Sequence, residues 1–396
     1  MLKDKTVLLC VSGGIAAYKS PYIASGLKKQ GCNVHVLMTK NAAQFISPIT
    51  FESLTGNKCP IDTFDRNFEF QVEHVSLAKQ ADLVLVAPAT ANVIAKLANG
   101  LADDMLTTTV LACRCKKLVA PAMNTAMYEN PVTQDNLEKL RHYGFTVIEP
   151  ASGYLACGDT GAGKMPEPDI LLDYIYQELW HEKDMEGLRV LVTAGPTQEA
   201  LDPVRYLTNH STGTMGYALA EQASRRGAEV TLVSGPTHLE PPRFVNTISV
   251  TSAKEMFDAV ISSAPQQDIV IKAAAVADYR PARQSADKIK KSDSVTSIEL
   301  KQTDDILAYL GGHRENGQFL CGFSMETRDL LENSKSKLER KHLDMIVANN
   351  LNTEGAGFGT GTNVVTILTK EKQVALPKLS KQETAEKILD EILASR

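Results

Sequence analysis

The 396 residues are 43% hydrophobic and 22% charged, and 42 basic against 47 acidic residues leave a net charge of −5. This composition excludes a disordered, collagen-like or coiled-coil chain, and its acidic balance advertises no nucleic-acid or anionic-membrane surface. The length exceeds one ordinary hydrophobic core, so two or three domains are expected, and no window approaches the ~18 uninterrupted apolar residues of a membrane span.

The first half alternates short β-branched runs with helical stretches. Thr6–Val11, Asn33–Met38, Asp82–Ala87, Lys117–Ala120 and Thr146–Ile148 read as strands, with helical patterns at Ala16–Gln30, Ala91–Ala98 and Val132–His142. Such alternation predicts a parallel sheet covered on both faces, and the unbroken LVLV at 83–86 fits a strand buried on both sides. After a charged stretch at 181–186 the rhythm restarts. Arg189–Ala194 reads as a strand, Gly213–Arg226 as a helix, and 227–235 as a glycine-led second strand echoing 31–39. Further strands are expected at Ile269–Ala273, Phe319–Gly322, Met345–Ala348 and Val364–Leu368. The fold class is α/β: two three-layer domains, 1–181 flavodoxin-like or Rossmann-like and 187–396 Rossmann-like. Two such sheets imply two ligand sites.

Seven cysteines, odd in number and without C-x-x-C spacing, argue against a disulfide framework or zinc site. Most read as small core residues of a cytoplasmic protein. The early apolar run TVLLCV is too short for a signal peptide and leads into Ser12-Gly13-Gly14.

That Ser-Gly-Gly turn sits between a strand and a helix. It can bring backbone and free helix N–H groups to a phosphate, or it can be a plain tight turn. It is not G-x-G-x-x-G, and the second strand ends at Thr39-Lys40 without an acid to grip a ribose, so FMN suits it better than NAD. Thr90 and Asn92 follow the third strand, where ligands of such sheets sit, although Thr90 also suits a helix N-cap. His74 precedes a helical pattern, and a lone histidine there is more often structural. Asn124, within PAMNTAM at 121–127, can offer its amide to a substrate carboxylate or close an Asx-turn. Cys157 lies in the glycine-rich stretch 150–166, which reads as a long polar loop, a lid or a disordered segment. A thiol on a closing lid can donate a proton.

In order, GGIAA at 13–17, His74, PAMNTAM and LACGDTGAGKM at 155–165 resemble the FMN-dependent cysteine decarboxylases, phosphopantothenoylcysteine decarboxylase above all. The resemblance implies FMN held by Ser12, Gly13, Gly14, Thr39, Thr90 and Asn92. It also implies that His74 assists proton removal, Asn124 orients the substrate carboxylate beside Met127, and Cys157 protonates the product. The chemistry is coherent. A carboxylate leaves as CO₂ only if an electron sink accepts the resulting electrons, and flavin oxidation of CH₂–SH to a thiocarbonyl creates one.

In the second half, Ser211-Thr212-Gly213 opens a helix and makes a candidate phosphate cradle. Ala273-Ala274-Ala275 permits close approach of a flat base, or dense packing. The basic run DKIKK at 287–291 is a solvated face, or a source of charge for a triphosphate. Lys337 and Lys341 share one helical face. GPTQE at 195–199, DPVRYLTNHSTG at 202–213, AAAVADYR at 273–280, DKIKK, GFSMET at 322–327 and Asn349-Asn350 together resemble phosphopantothenate–cysteine ligase. The resemblance implies that CTP and Mg²⁺ activate the substrate carboxylate as an acyl-cytidylate, which the cysteine amine attacks. Carried over, Asn209 and Arg205 hold the acyl intermediate and Lys288 supports transfer. Lys288 also contacts CTP, with Ala275, Asp278, Asp304, Asp305, Ile306, Leu307, Phe323, Lys337 and Lys341; no metal ligand is assigned. The two halves together resemble the bacterial bifunctional family that makes 4′-phosphopantetheine for coenzyme A. That implies small-molecule substrates only and a homo-oligomer, a dodecamer combining trimeric and dimeric contacts.

Overall fold

Strands form where the β-branched runs lie. The computed structural model describes residues 2–63, 72–154, 158–180, 182–290, 297–315, 317–326, 329–350 and 361–396. The chain divides into two compact units, Met1–His181 and Glu182–Arg396.

In the first unit, β1 (Thr6–Val11), β2 (Asn33–Met38), β3 (Leu83–Ala89), β4 (Lys116–Pro121) and β5 (Phe145–Val147) form a parallel sheet ordered β2-β1-β3-β4-β5. That is the flavodoxin-like order. Every residue of β3 is buried, as expected for a central strand sandwiched between helices. One face packs Leu9, Ile23, Phe51 and Leu171 beneath α1 (Ser20–Lys29) and α2 (Pro48–Thr55). The other packs Leu77, Val86, Ile94, Leu106 and Leu137, which draws in α3 (Glu73–Gln80), α4 (Ala91–Asn99) and α5 (Met105–Ala112). The short α6 (Thr125–Tyr128), α7 (Pro131–His142) and α8 (Pro168–Leu179) complete the layers. The helix expected from 16 starts as a 3-10 turn at Ile15–Lys19, and α1 proper begins with Pro21 in its first turn, where a missing N–H is harmless.

The stretch expected to be a loop is largely a hairpin. β6 (Ala151–Tyr154) pairs antiparallel with β7 (Thr160–Lys164). Its glycines serve docking. Met123 N donates to Gly163 O at 3.0 Å, and a Cβ on Gly163 would stand 2.4 Å from Met123 O.

The second unit begins with β8 (Arg189–Ala194), the hairpin β9 (Gln198–Ala200)/β10 (Tyr206–Thr208) and α9 (Thr214–Arg225). It continues through β11 (Glu229–Ser234), β12 (Asn246–Ser249), α10 (Ala253–Ser263), β13 (Ile269–Lys272) and the paired β14 (Tyr279–Pro281)/β15 (Leu300–Gln302). Then come α11 (Ile306–His313), β16 (Phe319–Glu326), α12 (Leu330–Arg340) and β17 (Met345–Asn350). It ends with β18 (Thr362–Asn363), β19 (Val365–Thr369), β20 (Gln373–Ala375), β21 (Leu379–Ser380) and α13 (Lys381–Ser395). The main sheet runs β12-β11-β8-β13-β16-β17-β19-β20. Its first six strands are parallel in the Rossmann order. β19 then runs antiparallel to β17, and β20 antiparallel to β19 across a tight turn closed by Thr369 and Lys372.

The charged stretch before β8 belongs to this second unit. Met185 is fully buried in its core, and Asp184 pairs with Arg226 at 2.5 Å.

Candidate active sites

A recess of about 700 Å³ opens at the carboxyl ends of β1, β2 and β3. Gly13, Thr39, Thr90, Asn92 and Met127, all expected from sequence, line it together. The remaining two cofactor candidates act differently. Ser12 is fully buried; its hydroxyl donates to Pro88 O at 2.7 Å and accepts from Thr90 N at 3.0 Å, tying two strand-end loops together. Gly14 has nothing nearer to a would-be Cβ than Thr90 Cγ2 at 3.7 Å. Gly13 is required by the protein itself, because its Cβ would meet Asn41 Cβ at 2.5 Å.

Thr90 occupies the N-cap position of α4, yet its side chain makes no capping bond. The first-turn amides of that helix are thus left for a ligand. The recess also holds carboxylates, each offset by a cation: Lys40 lies 3.3 Å from Asp62, and Lys96 lies 2.6 Å from Asp103 and 3.2 Å from Asp104. The Asp103 hydrogen bond holds the Lys96 ammonium above its ordinary pKa. Hydroxyls, an amide and an open helix N-terminus form a donor set that fits a flavin mononucleotide phosphate.

His74 is half-buried in the first turn of α3 and does not line this recess. Asn124 caps α6: its Oδ1 accepts from Ala126 N at 2.9 Å, and its Nδ2 donates to Asp159 Oδ2 at 2.6 Å. The cap reading of that side chain is thus visible, and its amide faces a carboxylate of the protein itself. Cys157 lies outside the described residues, in the segment joining β6 to β7. Sequence reasoning passed over Lys19, only 5% exposed, whose Nζ donates to Met165 O at 3.0 Å and Glu167 Oε1 at 2.9 Å just beyond β7.

The second unit carries two recesses, of about 400 and about 380 Å³, which share Lys272, Val276 and Asp278 as a wall. Asn209, Ser211, Thr212, Gly213, Ala275 and Phe323 line the first. Asn209 Nδ2 donates to Ala275 O at 2.9 Å, joining the loop before α9 to the loop after β13. Asp304, Asp305, Ile306, Leu307 and Lys341 line the second, where Lys341 Nζ meets Asp305 Oδ2 at 2.8 Å. Lys337 Nζ lies 3.5 Å from Ser324 Oγ, on the Phe323 side.

Arg205 and Lys288 line neither recess. The Arg205 guanidinium donates to the buried Asp202 carboxylate and to Ile289 O at 2.8 Å, and it holds the Asp202 carboxyl well below the usual carboxylate range. Asp202 also accepts from Ile289 N at 3.1 Å, so this pair anchors the exposed segment carrying Lys288. Lys272 was not singled out in the sequence. Its Nζ donates to Ala274 O at 2.9 Å, and burial first, then Lys341, brings its ammonium down to about 8. Among the described residues no group of three or more His, Cys, Asp or Glu is placed to hold a metal ion.

Two family models divide the chain: Flavoprotein matches 1–180, and the DNA/pantothenate metabolism flavoprotein C-terminal domain matches 185–395. The coenzyme A biosynthesis bifunctional protein CoaBC of Bacillus subtilis is 48% identical over 100% of this chain and 98% of its own length. Its Escherichia coli counterpart is 41% identical over 99% of this chain and 97% of its own. A crystal structure of the C-terminal domain of a CoaBC protein is 46% identical, covering 52% of this chain and 95% of its own with a TM-score of 0.45. End-to-end similarity at this identity, with both domain models in register, makes this chain a member of the bifunctional coenzyme A biosynthesis protein family, CoaBC.

Proposed function

We propose that this chain makes 4′-phosphopantetheine in two steps. Residues 182–396 join phosphopantothenate to cysteine with CTP, and residues 1–181 then remove the cysteine carboxyl group with FMN. The carrying observation is the 48% identity to a bifunctional coenzyme A biosynthesis protein along the whole chain. A recess at strand carboxyl ends in each unit supports it.

Ligation needs activation, because a carboxylate is inert to an amine at neutral pH. Attack of the substrate carboxylate on the α-phosphate of CTP gives an acyl-cytidylate and releases pyrophosphate. The cysteine amine then forms the amide and displaces CMP. Asn209, fixed against Ala275, holds the acyl group. Lys288 supplies an ammonium for the developing charge, on the segment that Arg205 and Asp202 anchor. The nucleotide lies along Asp278, Asp304–Leu307, Phe323, Lys337 and Lys341. Mg²⁺ would be bound through the nucleotide phosphates, since among the described residues no acidic cluster is placed to hold it.

In decarboxylation, FMN supplies a two-electron sink at the thiol-bearing carbon and returns the electrons after CO₂ leaves. Asn124 orients the substrate carboxylate, a role supported by its amide Nδ2, which in this structure donates to the Asp159 carboxylate. His74 assists proton removal, and Cys157 returns a proton to the product. A cytoplasmic location and a homo-oligomer of up to twelve chains, the dodecamer the resemblance implies, belong to the same reading, and light scattering tests the second.

Incubation with phosphopantothenate, cysteine, CTP and Mg²⁺ is expected to yield CMP, pyrophosphate, CO₂ and 4′-phosphopantetheine. Release of CDP and phosphate instead would refute the acyl-cytidylate. The Cys157→Ser protein is expected to release CO₂ without forming 4′-phosphopantetheine, since a hydroxyl is a far weaker acid than a thiol. Normal turnover by that variant removes Cys157 from the reaction.

A further inference from the structure

Lys381 is the first residue of α13 and only 6% exposed. Its backbone N–H donates to Gly361 O at 3.3 Å, but among the described residues no hydrogen bond or ion pair ends on its ammonium. Burial pushes its pKa down. A cation in the first helical turn also faces the positive end of the helix dipole. Lysine is therefore a costly choice here on two counts.

The side chain lines the 400 Å³ recess that also receives the N-terminus of α9. Gly213, the N-cap of that helix, has no side chain to cap it, so the first-turn amides are unclaimed by a cap. Asn363, 4% exposed, lines the same recess, and its Nδ2 meets Met215 Sδ at 3.1 Å, a weak acceptor. A buried ammonium, a poorly satisfied amide and a bare helix N-terminus thus converge on one cavity. All three are donors, a set that suits an anion; Asp278 lines the same recess on its shared wall.

We propose that Lys381 is a binding residue of the ligation site, gripping a phosphate group of one of its substrates across this cavity. The inference rests on the ligase reading of residues 182–396. Ammonium and helix N–H groups together suit phosphate oxygens. The acyl substrate's phosphate monoester and the nucleotide's phosphate chain share that chemistry.

The test is calorimetric titration of the full-length protein with 4′-phosphopantothenate, pantothenate and CTP, comparing wild type, Lys381→Arg and Lys381→Gln. Lys381→Gln is expected to weaken one phosphate-bearing ligand by about tenfold or more, the worth of one charge-assisted hydrogen bond. Lys381→Arg should retain most of that affinity, and pantothenate should bind all three proteins alike. Loss confined to phosphopantothenate assigns the monoester; loss confined to CTP assigns the nucleotide phosphates. Unchanged affinity for both, equal weakening of pantothenate, or a wild type that binds neither ligand overturns the proposal. If Lys381→Gln does not fold, the wild type decides. Bound phosphopantothenate or CTP is expected to protect Lys381 from acylation by an N-hydroxysuccinimide ester, read by peptide mass, and absence of protection by both overturns the proposal. Failure of the ligase reading looks different: these ligands bind through Lys381, yet no amide is made.

Discussion

Lys272 ends an otherwise apolar strand and stands between the two recesses of the second unit. Its ordinary value of 10.5 falls to about 8 in the folded protein, chiefly through desolvation. Between those values the unfolded chain binds more protons than the folded one, so stability rises with pH across this window. Below about 8 the burial penalty is fully present. Lys272→Met is therefore expected to be more stable than wild type near pH 7, by on the order of 1 kcal/mol, with the gap closing as pH approaches 10.5. Urea unfolding across that range checks it; a destabilised variant with a pH-independent gap contradicts the account. Neither Lys272 nor Lys381 was legible in the sequence, because a lysine at the end of a strand or the start of a helix ordinarily points to water. Gly13, Thr39, Thr90 and Asn92 were legible as a group, since each follows a strand whose end is punctuated by glycine, threonine or proline. Their division of labour was not. Only the three-dimensional approach of Asn41 shows that Gly13 answers to the packing of the protein itself.

At the level of elements, central strands were the most readable, since β-branched runs buried on both faces leave no other periodicity to compete. α5 escaped because MLTTTVLA is apolar or threonine-rich all round and has no helical stripe; burial of Leu106 and Val110 makes it a helix. The β6–β7 hairpin escaped for a different reason. Its glycines look like freedom in a sequence, but Gly161 and Gly163 are small so that the hairpin can lie against Thr125 and Met123. Gly163 also has φ of 129°, a region that favours glycine. Gly163→Ala is expected to cost about 1–3 kcal/mol in thermal or urea unfolding and to lower CO₂ release, because the Met123–Asn124 loop must shift. Wild-type decarboxylation by this variant would show that hairpin docking does not position Asn124. Of the antiparallel edge of the second sheet, only 364–368 was legible as a strand, without its direction. β20 was not, because it is only three residues long and pairs across the turn between Thr369 and Lys372.

Across the molecule, the charged segment before β8 reads in sequence as the boundary between two domains, and in the structure it is anchored to the second unit. Met185 is buried, and Arg226, its side chain 7% exposed, is shared between Asp184 and Asp390. A fragment beginning at 187 loses both Met185 and Asp184, so it is expected to be less stable than one beginning at 182 by roughly 2 kcal/mol or more. Equal unfolding midpoints would contradict that boundary. The central claim is that one chain carries two chemically independent sites, one on each sheet. Assaying both half-reactions on two single variants of the full-length protein tests it most directly. Asn209→Ala is expected to lose ligation of phosphopantothenate to cysteine while still releasing CO₂ from supplied phosphopantothenoylcysteine, and Asn124→Ala is expected to do the reverse. If ligation and CO₂ release fall together in either folded variant, the two-site account is wrong.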